Sequence, residues 1–425
     1  MVGLPGAILL GLGSIVGTGA FVSIGIAAGV AGPSVVVAIA IAACLAACNG
    51  LSSAQLAADH PVSGGTYEYG YRYLTPTLGF AAGWMFVCAK SASAATAALG
   101  LAGYALDAFG VAAPGSRVTL SVAAVAGITA LVAGGMSRSN HANAVIVSIT
   151  LLVLTAFTIL GAPAAVARSG TTLSGTFAGV TDVRGLLEAS ALMFVAYTGY
   201  GRIATLGEEV REPRRTIPRA IVATLVVSAV LYLGVALVAV GAVGAEVLAG
   251  LTAATAAPLE GVARSFDGPV LPRLLALGAI TAMLGVLLNL VLGLSRVLLA
   301  MARRGDAPAA LARVGSSSRS PRSAVLAVGA VIGAIALVGD VGLTWSFSAF
   351  TVLVYYAITN FAALRLPPEA RMFPHWVPAL GLAGCLGLAF WVQPRVWLLG
   401  LALLAAGVAA RAAVHRFGPP GGSPS

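Results

Sequence analysis

Gly11-Leu-Gly-Ser-Ile-Val-Gly-Thr-Gly19 interrupts the first long apolar stretch of the chain about halfway along, and Ala196-Tyr-Thr-Gly-Tyr-Gly201 interrupts another in the corresponding place of the second half. Lipid offers nothing to a free N–H or C=O group, so a broken helix survives in a bilayer only where the break faces protein or a polar cavity. Glycine tolerates the backbone conformations that an unwound turn needs. A matched pair of breaks in two halves of one chain points to a binding site near the bilayer midplane. A packing reading stays open beside this one. Small residues four apart, as at Gly13 and Gly17, let neighbouring helices approach, and Gly199 with Gly201 would suit a kink. A phosphate-cradling turn is excluded, because no strand precedes the glycines.

The rest of the sequence supplies the membrane setting. Apolar residues make up 59% of the 425 and charged residues 9%, against about 45–50% and 25% in soluble proteins. Apolar runs of about 18 to 25 residues bounded by charge or turn residues predict helices 1 to 5 near 4–28, 34–57, 78–106, 117–135 and 140–164. The second half predicts helices 6 to 12 near 185–206, 216–243, 270–302, 323–339, 344–365, 376–392 and 395–413. The fold expected is an all-α integral membrane protein of about twelve spans, one transmembrane domain over residues 1–415 with a disordered tail at 416–425.

Every basic residue except Lys90 and the four histidines is arginine, and the arginines are unevenly placed. Loops on one side carry Arg211, Arg214, Arg215, Arg219, Arg303, Arg304, Arg319 and Arg322 among others, while the opposite loops hold only Arg117, Arg168, Arg184, Arg264, Arg273 and Arg395. The positive-inside bias puts the first side, and both termini, in the cytoplasm of a cell membrane. Topology thus accounts for the net charge of +10, and no nucleic-acid role is expected. Residues 3–28 lack the basic flank of a signal peptide and are read as helix 1. Cys44, Cys48, Cys88 and Cys385 fall within apolar spans, where they are expected as small buried side chains. Neither a disulfide framework, a metal site nor a cofactor is expected.

The break in helix 1 has electrostatic consequences. A half-helix starting near Thr18 aims free N–H groups and a positive dipole end into the cavity, which suits a carboxylate. Carbonyls closing the previous half-helix, near Ser14 and Ile15, suit an ammonium. One break can therefore hold both ends of a free amino acid.

These residues resemble a family: Gly11-Leu-Gly-Ser-Ile-Val-Gly-Thr-Gly-Ala-Phe21 is similar to the helix 1 signature of the amino acid/polyamine/organocation permeases. Pro61-Val-Ser-Gly-Gly-Thr-Tyr67 with Gly79-Phe-Ala-Ala-Gly-Trp84, the stretch Phe194 to Val210 with Pro213 and Thr216-Ile-Pro-Arg-Ala220, and Leu294-Ser-Arg-Val-Leu-Leu-Ala-Met-Ala-Arg303 resemble it in the right order. The resemblance implies a five-plus-five inverted repeat of the LeuT type, with helices 1–5 at about 4–164 mirrored by helices 6–10 at about 185–365, helices 1 and 6 discontinuous, and helices 11 and 12 peripheral. It implies a permease with substrate between helices 1 and 6, helices 3, 8 and 10 completing the cavity. By position the carboxylate-binding amides fall on Gly17, Thr18 and Gly19, and the carbonyls that take the amine on Ile15, Val195, Ala196 and Thr198. Gly199 marks the helix 6 break itself, and Tyr200 and Gly201 stand where family members tune side-chain selectivity.

Lys90 is the sole lysine and lies inside helix 3, about twelve residues or 18 Å from its start near Leu78. Snorkelling to an interface or a hold on helix-end carbonyls is the bland reading. Proton-coupled permeases of the resembled family commonly carry a lysine in helix 5, and the matching position here is Thr150. Helices 3 and 5 enter from the same side, so Lys90 and Thr150 are expected at similar depth. Lys90 is then expected to supply the missing charge near Thr150 or the helix 1 carbonyls, since a desolvated ammonium can give up its proton near neutral pH. The coupling ion expected is a proton. Sodium held by Thr150 and oxygens of helices 1 and 8, and transport without ion coupling, stay open.

Arg202, just past the second break, is expected either to anchor helix 6 to a carboxylate or to meet an acidic substrate. Glu208, Glu209, Arg211, Glu212, Arg214 and Arg215 read as a solvated ion-pair loop or as an inner gate. Glu188 is the one carboxylate placed within a span, about eight residues before the break, where it lines the outer approach or caps the helix. A pocket without a nearby carboxylate favours a neutral amino acid over a cationic one. Against a membrane enzyme, the chain has no His-Glu-x-x-His zinc motif or Gly-x-Ser-x-Gly nucleophile turn, and its histidines are scattered. The expectation is a secondary transporter, not an enzyme, whose partners are an amino acid, a coupling ion and the bilayer, as a monomer or a homodimer. A cationic amino acid or amine substrate, and a channel, stand as alternatives.

Overall fold

The computed structural model describes residues 3–62, 64–111, 113–135, 140–174, 182–205, 210–266, 268–313 and 321–417. Helix 1 comes in pieces, Leu4–Ile15, a π turn over Gly19–Ser23, and Ile24–Ala31. Helices 2 to 5 follow as Val35–Asp59, Pro76–Ala108, Ser116–Ala133 and Asn140–Thr172. Helix 6 is also in pieces, Val183–Tyr197, a 3-10 turn over Thr198–Tyr200, and Gly201–Ala204. Helices 7 to 12 are Pro213–Val243, Val270–Arg303, Arg322–Ala336, Val341–Leu364, Trp376–Ala389 and Pro394–Phe417.

Local chemistry sets these bounds. Pro76 and Pro213 open helices 3 and 7 at the position where a missing N–H costs nothing. Thr75, Asp182 and Asp340 accept from first-turn amides of helices 3, 6 and 10, at 3.2, 3.0 and 2.8 Å. Gly244 ends helix 7 at φ 85°, a left-handed turn that a side chain would resist.

Among the described residues, eight helical segments are long and apolar enough to cross a bilayer. The interrupted helices 1 and 6 and the shorter helices 9 and 11 complete the set of about twelve spans. Burial sorts them: the apolar windows of helices 3 and 10 are 78% buried, those of helices 4 and 12 only 22% and 17%. Helices 3 and 10 are thus the axis of the bundle, and 4 and 12 turn most of their surface to lipid. Hydroxyl pairs Ser93–Ser348 at 2.7 Å and Thr96–Thr344 at 2.8 Å fasten the two central helices together. Such pairs satisfy polar groups that lipid would leave bare.

Three expectations are corrected. Helix 5 runs past 164 to Thr172 in spite of Pro163, because Arg168 Nη1 donates to the Ala242 carbonyl at 2.9 Å and Thr172 Oγ1 to Gly241 at 2.8 Å, binding its last turns to helix 7. Two short helices, Ala245–Thr255 and Pro258–Ala263, stand between helices 7 and 8, too short for a span-length pattern to reveal. Cys44 is exposed on helix 2, Cys48 and Cys88 are half-buried, and only Cys385 is fully buried, since a thiol is apolar enough to face lipid. The tail at 418–425 lies outside the described residues.

Candidate functional site

Helix 1 ends where Val16 turns to φ −82°, ψ 94°, its amide still donating to Leu12 at 2.7 Å. Among the described residues the amides of Gly17, Thr18 and Gly19 make no turn or capping bond, and the chain closes again only as Ala20 and Phe21 donate to the Gly17 carbonyl at 3.0 and 3.1 Å. The Thr18 hydroxyl is buried without a partner among the described residues. These are donors held ready for an acceptor.

Helix 6 breaks differently. Thr198 donates both its amide and, at 2.7 Å, its hydroxyl to the Val195 carbonyl. Tyr356 of helix 10 donates to the Thr198 carbonyl at 3.2 Å, and the Lys90 ammonium donates to the Thr198 hydroxyl at 2.8 Å. Gly199 explains how closely the breaks meet: a Cβ there would stand 2.3 Å from the Ser14 carbonyl oxygen and 2.6 Å from Ile15 Cγ1. The hydroxyl of Tyr232, from helix 7, bridges both, 2.8 Å from the Ile15 carbonyl and 3.2 Å from that of Ala196. Gly19 leaves it room, since a Cβ on Gly19 would lie 2.7 Å from that hydroxyl.

The two breaks border one cavity of about 220 Å³. Ser14, Ile15, Thr18, Gly19, Val195, Ala196, Thr198, Gly199 and Gly201 line it, with Phe86 and Lys90 from helix 3, Asn289 and Arg296 from helix 8, and Trp345, Tyr355 and Tyr356 from helix 10. It extends past Arg202 and Thr205 towards Gly64 and Tyr67, the end of the bundle where Arg304 and Arg411 lie. No aspartate or glutamate is among the described residues that line it. At the cavity's other end Trp345 Nε1 donates to the Leu192 carbonyl at 2.9 Å. Beyond it Tyr104 donates to the Phe21 carbonyl in the π turn at 2.9 Å and accepts from the Leu259 amide at 3.3 Å.

Several expected residues take other places. Gly17 faces helix 8, where a Cβ would meet Val286 Cγ2 at 2.6 Å, and Tyr200 packs on the Tyr356 ring, centroids 5.4 Å apart, so neither lines the cavity. Lys90 reaches the helix 6 break and not Thr150, whose hydroxyl donates to its own helix at Ile146, 2.7 Å away. The Val195 carbonyl accepts two bonds from Thr198, which fills both its lone pairs and leaves none for an ammonium. Glu188 neither lines the cavity nor caps its helix: Asp182 is the cap, and Glu188 is buried with no partner for Oε1 among the described residues. Of the expected gate, Glu208 and Glu209 lie outside the described residues, while Arg215 and Glu212 form an exposed pair at 3.8 Å. Tyr232, Tyr356 and Arg296 were not foreseen; a tyrosine or arginine within an apolar span was the available signal.

Ion pairs tie the structure outside the spans. Asp306 accepts from Tyr67 and from Arg411 Nε, each at 2.7 Å, and Arg304 pairs with Glu68 at 2.8 Å. Burial, helped by the Asp306 carboxylate, pushes the Tyr71 phenol up to about 12, so it stays a donor at neutral pH. At the opposite end Arg264 pairs with Asp107 and Glu260, both at 2.9 Å. Burial, with Asp107 adding to it and Arg264 opposing, pushes the Glu260 carboxyl up to about 7.

An all-helical bundle of about twelve spans, with two facing broken helices bordering one cavity, is the architecture of a multi-pass transporter of the LeuT type. The chain belongs to the amino acid permease family, whose model matches residues 6–415. It is 41% identical over 408 residues to an uncharacterized transporter of Mycobacterium tuberculosis, covering 96% of this chain and 90% of the relative. It is 27% identical over 424 residues to the branched-chain amino acid permease BcaP of Bacillus subtilis, covering 92% and 89%. Among solved structures, MhsT in complex with L-phenylalanine is similar in fold, with a TM-score of 0.60 at 15% identity over 94% of this chain and 98% of that one.

Proposed function

We propose that this permease carries an amino acid across the cell membrane by alternating access, with the substrate held between the two breaks. The observation that carries this reading is the shared cavity, onto which unpaired donors of helix 1 and carbonyls of helix 6 both open. The α-carboxylate takes the amides around Thr18 and Gly19, Gly17 shaping the turn behind them. The α-ammonium shares the carbonyls of Ile15 and Ala196, each of which keeps a lone pair beside the Tyr232 hydroxyl it already serves, whereas the Thr198 carbonyl is filled by Tyr356 and the Gly201 amide. Gly199 and Gly201 form the wall where the substrate's side chain passes, and Tyr200 backs it. A cationic side chain has nothing here to neutralise it, so the substrate carries no positive charge beyond its α-ammonium.

The cavity reaches the arginine-rich end, which the positive-inside bias assigns, with both termini, to the cytoplasm. This is the inward-facing member of the cycle. The driving ion is a proton exchanged at Lys90, the one ammonium beside the substrate.

Purified protein in proteoliposomes, offered labelled amino acids under an imposed pH gradient with and without sodium, tests this. Saturable uptake that follows the pH gradient in sodium-free buffer is expected. Uptake that needs sodium would move the coupling to Thr150, and absence of uptake of any amino acid would overturn the reading.

A further inference from the structure

Lys90 is only 9% exposed and borders the cavity, yet the one described partner of its ammonium is the neutral hydroxyl of Thr198. An ammonium has three donors, and that hydroxyl gives its own proton to Val195, so two donors of Lys90 have no acceptor among the described residues. No described carboxylate pairs with it. A buried charge without a counter-charge is costly, and a neutral amino acid would leave that cost in place. The wall of the same cavity adds Arg296, which has neither ion pair nor hydrogen bond among the described residues, and Arg202 nearer the mouth. Positive groups lining a cleft with low-dielectric walls concentrate anions within it.

We propose that the cavity takes an acidic amino acid, its side-chain carboxylate bound by Lys90 beside Thr198 and drawn in from the mouth by Arg296 and Arg202. The inference rests on the amino acid transport proposed above and names its substrate class. The helix 1 amides hold the α-carboxylate and Lys90 holds the second one, so each anion of the substrate has its own donors. It also links substrate to proton. A carboxylate binds the ammonium form of Lys90 better than the neutral form, and by reciprocity the loaded site keeps its proton more firmly than the empty one.

The test is uptake of labelled L-glutamate and L-aspartate against L-glutamine and L-asparagine, at equal concentrations, by the full chain in proteoliposomes. The acids are isosteric with the amides, so the ratio isolates the charge. An acid-to-amide ratio of at least about ten is expected, the scale of one charge-assisted hydrogen bond. Lys90→Gln brings that ratio to within about threefold of one, and Arg296→Gln raises KM for the acids severalfold at low salt and hardly at high salt. Amide uptake above acid uptake in the unaltered protein overturns the inference, as does an unchanged ratio in a folded Lys90→Gln variant. Should that variant not fold, the ratio in the unaltered protein and the salt response of Arg296→Gln decide. Uptake of neutral amino acids with acids rejected defeats this inference alone, while absence of all amino acid uptake defeats the transport reading beneath it.

Discussion

The breaks in helices 1 and 6 occupy equivalent places in the two halves of the chain and are built in opposite ways. Helix 1 leaves its groups open: the amides of Gly17 to Gly19 make no described turn bond, and the Thr18 hydroxyl has no described partner. Helix 6 is pinned from three sides, by its own Thr198, by Tyr356 of helix 10 and by Lys90 of helix 3. On the proposed binding mode, an open break offers backbone donors to any α-amino acid, whereas a pinned break holds one side chain, Lys90, at a fixed place beside the cavity. That reading divides generic recognition and selectivity between two copies of one structural idea.

Glycine substitutions test that division most severely. A Cβ on Gly199 would stand 2.3 Å from the Ser14 carbonyl oxygen, a backbone atom that cannot turn aside, whereas one on Gly17 would meet the tip of Val286 at 2.6 Å. Gly199→Ala is expected to part the two breaks and lower uptake by about a hundredfold, the scale of an ångström-level misplacement. Overpacking of this kind costs about 1–3 kcal/mol of stability. Gly17→Ala is expected to stay within about threefold of the unaltered protein as Val286 changes rotamer. Equal losses in proteoliposome uptake would show the breaks to be equally rigid.

This contrast also marks how far the sequence could be read. Both breaks were legible, because a bilayer restricts unwound backbone to a few glycine-rich places, and the spans were legible from apolar length. The depth of Lys90 in helix 3 followed from counting residues, but its direction did not. Each residue turns the helix by about 100°, and the rotation of helix 3 against helices 5 and 6 is set by packing, so Thr150 and Thr198 were equally reachable on paper. Tyr232 and Tyr356 were missed for the same reason, since each acts on a break more than thirty residues away in the chain. The filled Val195 carbonyl depends on the turn geometry of Thr198, which composition does not encode.

Tyr232 is the one described side chain that bonds to both breaks, so its removal sharpens the comparison at lower cost. Tyr232→Phe keeps the ring and deletes a hydroxyl shared between the carbonyls of Ile15 and Ala196. A buried hydrogen bond contributes about 1 kcal/mol, and uptake is expected to fall about fivefold with a small drop in thermal stability. The pinned helix 6 should be less disturbed than helix 1. Cysteines introduced in turn at Thr18 and Gly201 would show it, accessibility to a thiol reagent rising at the first and holding at the second; a rise at both would mean that Tyr232 supports the two breaks alike.

The smallest effect expected reaches helix 1 alone, from outside the membrane. Tyr104 joins the helix Pro258–Ala263 to the π turn of helix 1 through the Leu259 amide and the Phe21 carbonyl, and Glu260 lies next to that link. Asp107 and Arg264 are the charged groups described around it. Burial raises the Glu260 carboxyl from 4.5 to about 7, so the folded protein holds this proton more tightly than the unfolded chain does. The sign follows: stability from this group is full below about pH 4.5, falls as pH rises through 7, and is flat above. Between pH 6 and 8 the melting temperature should drop by about one to three degrees more in the unaltered protein than in Glu260→Gln. Identical slopes would remove Glu260 from the account. A slope that Tyr104→Phe leaves intact, together with unchanged reagent access at Thr18, would show that the proton is felt locally and never reaches the open break.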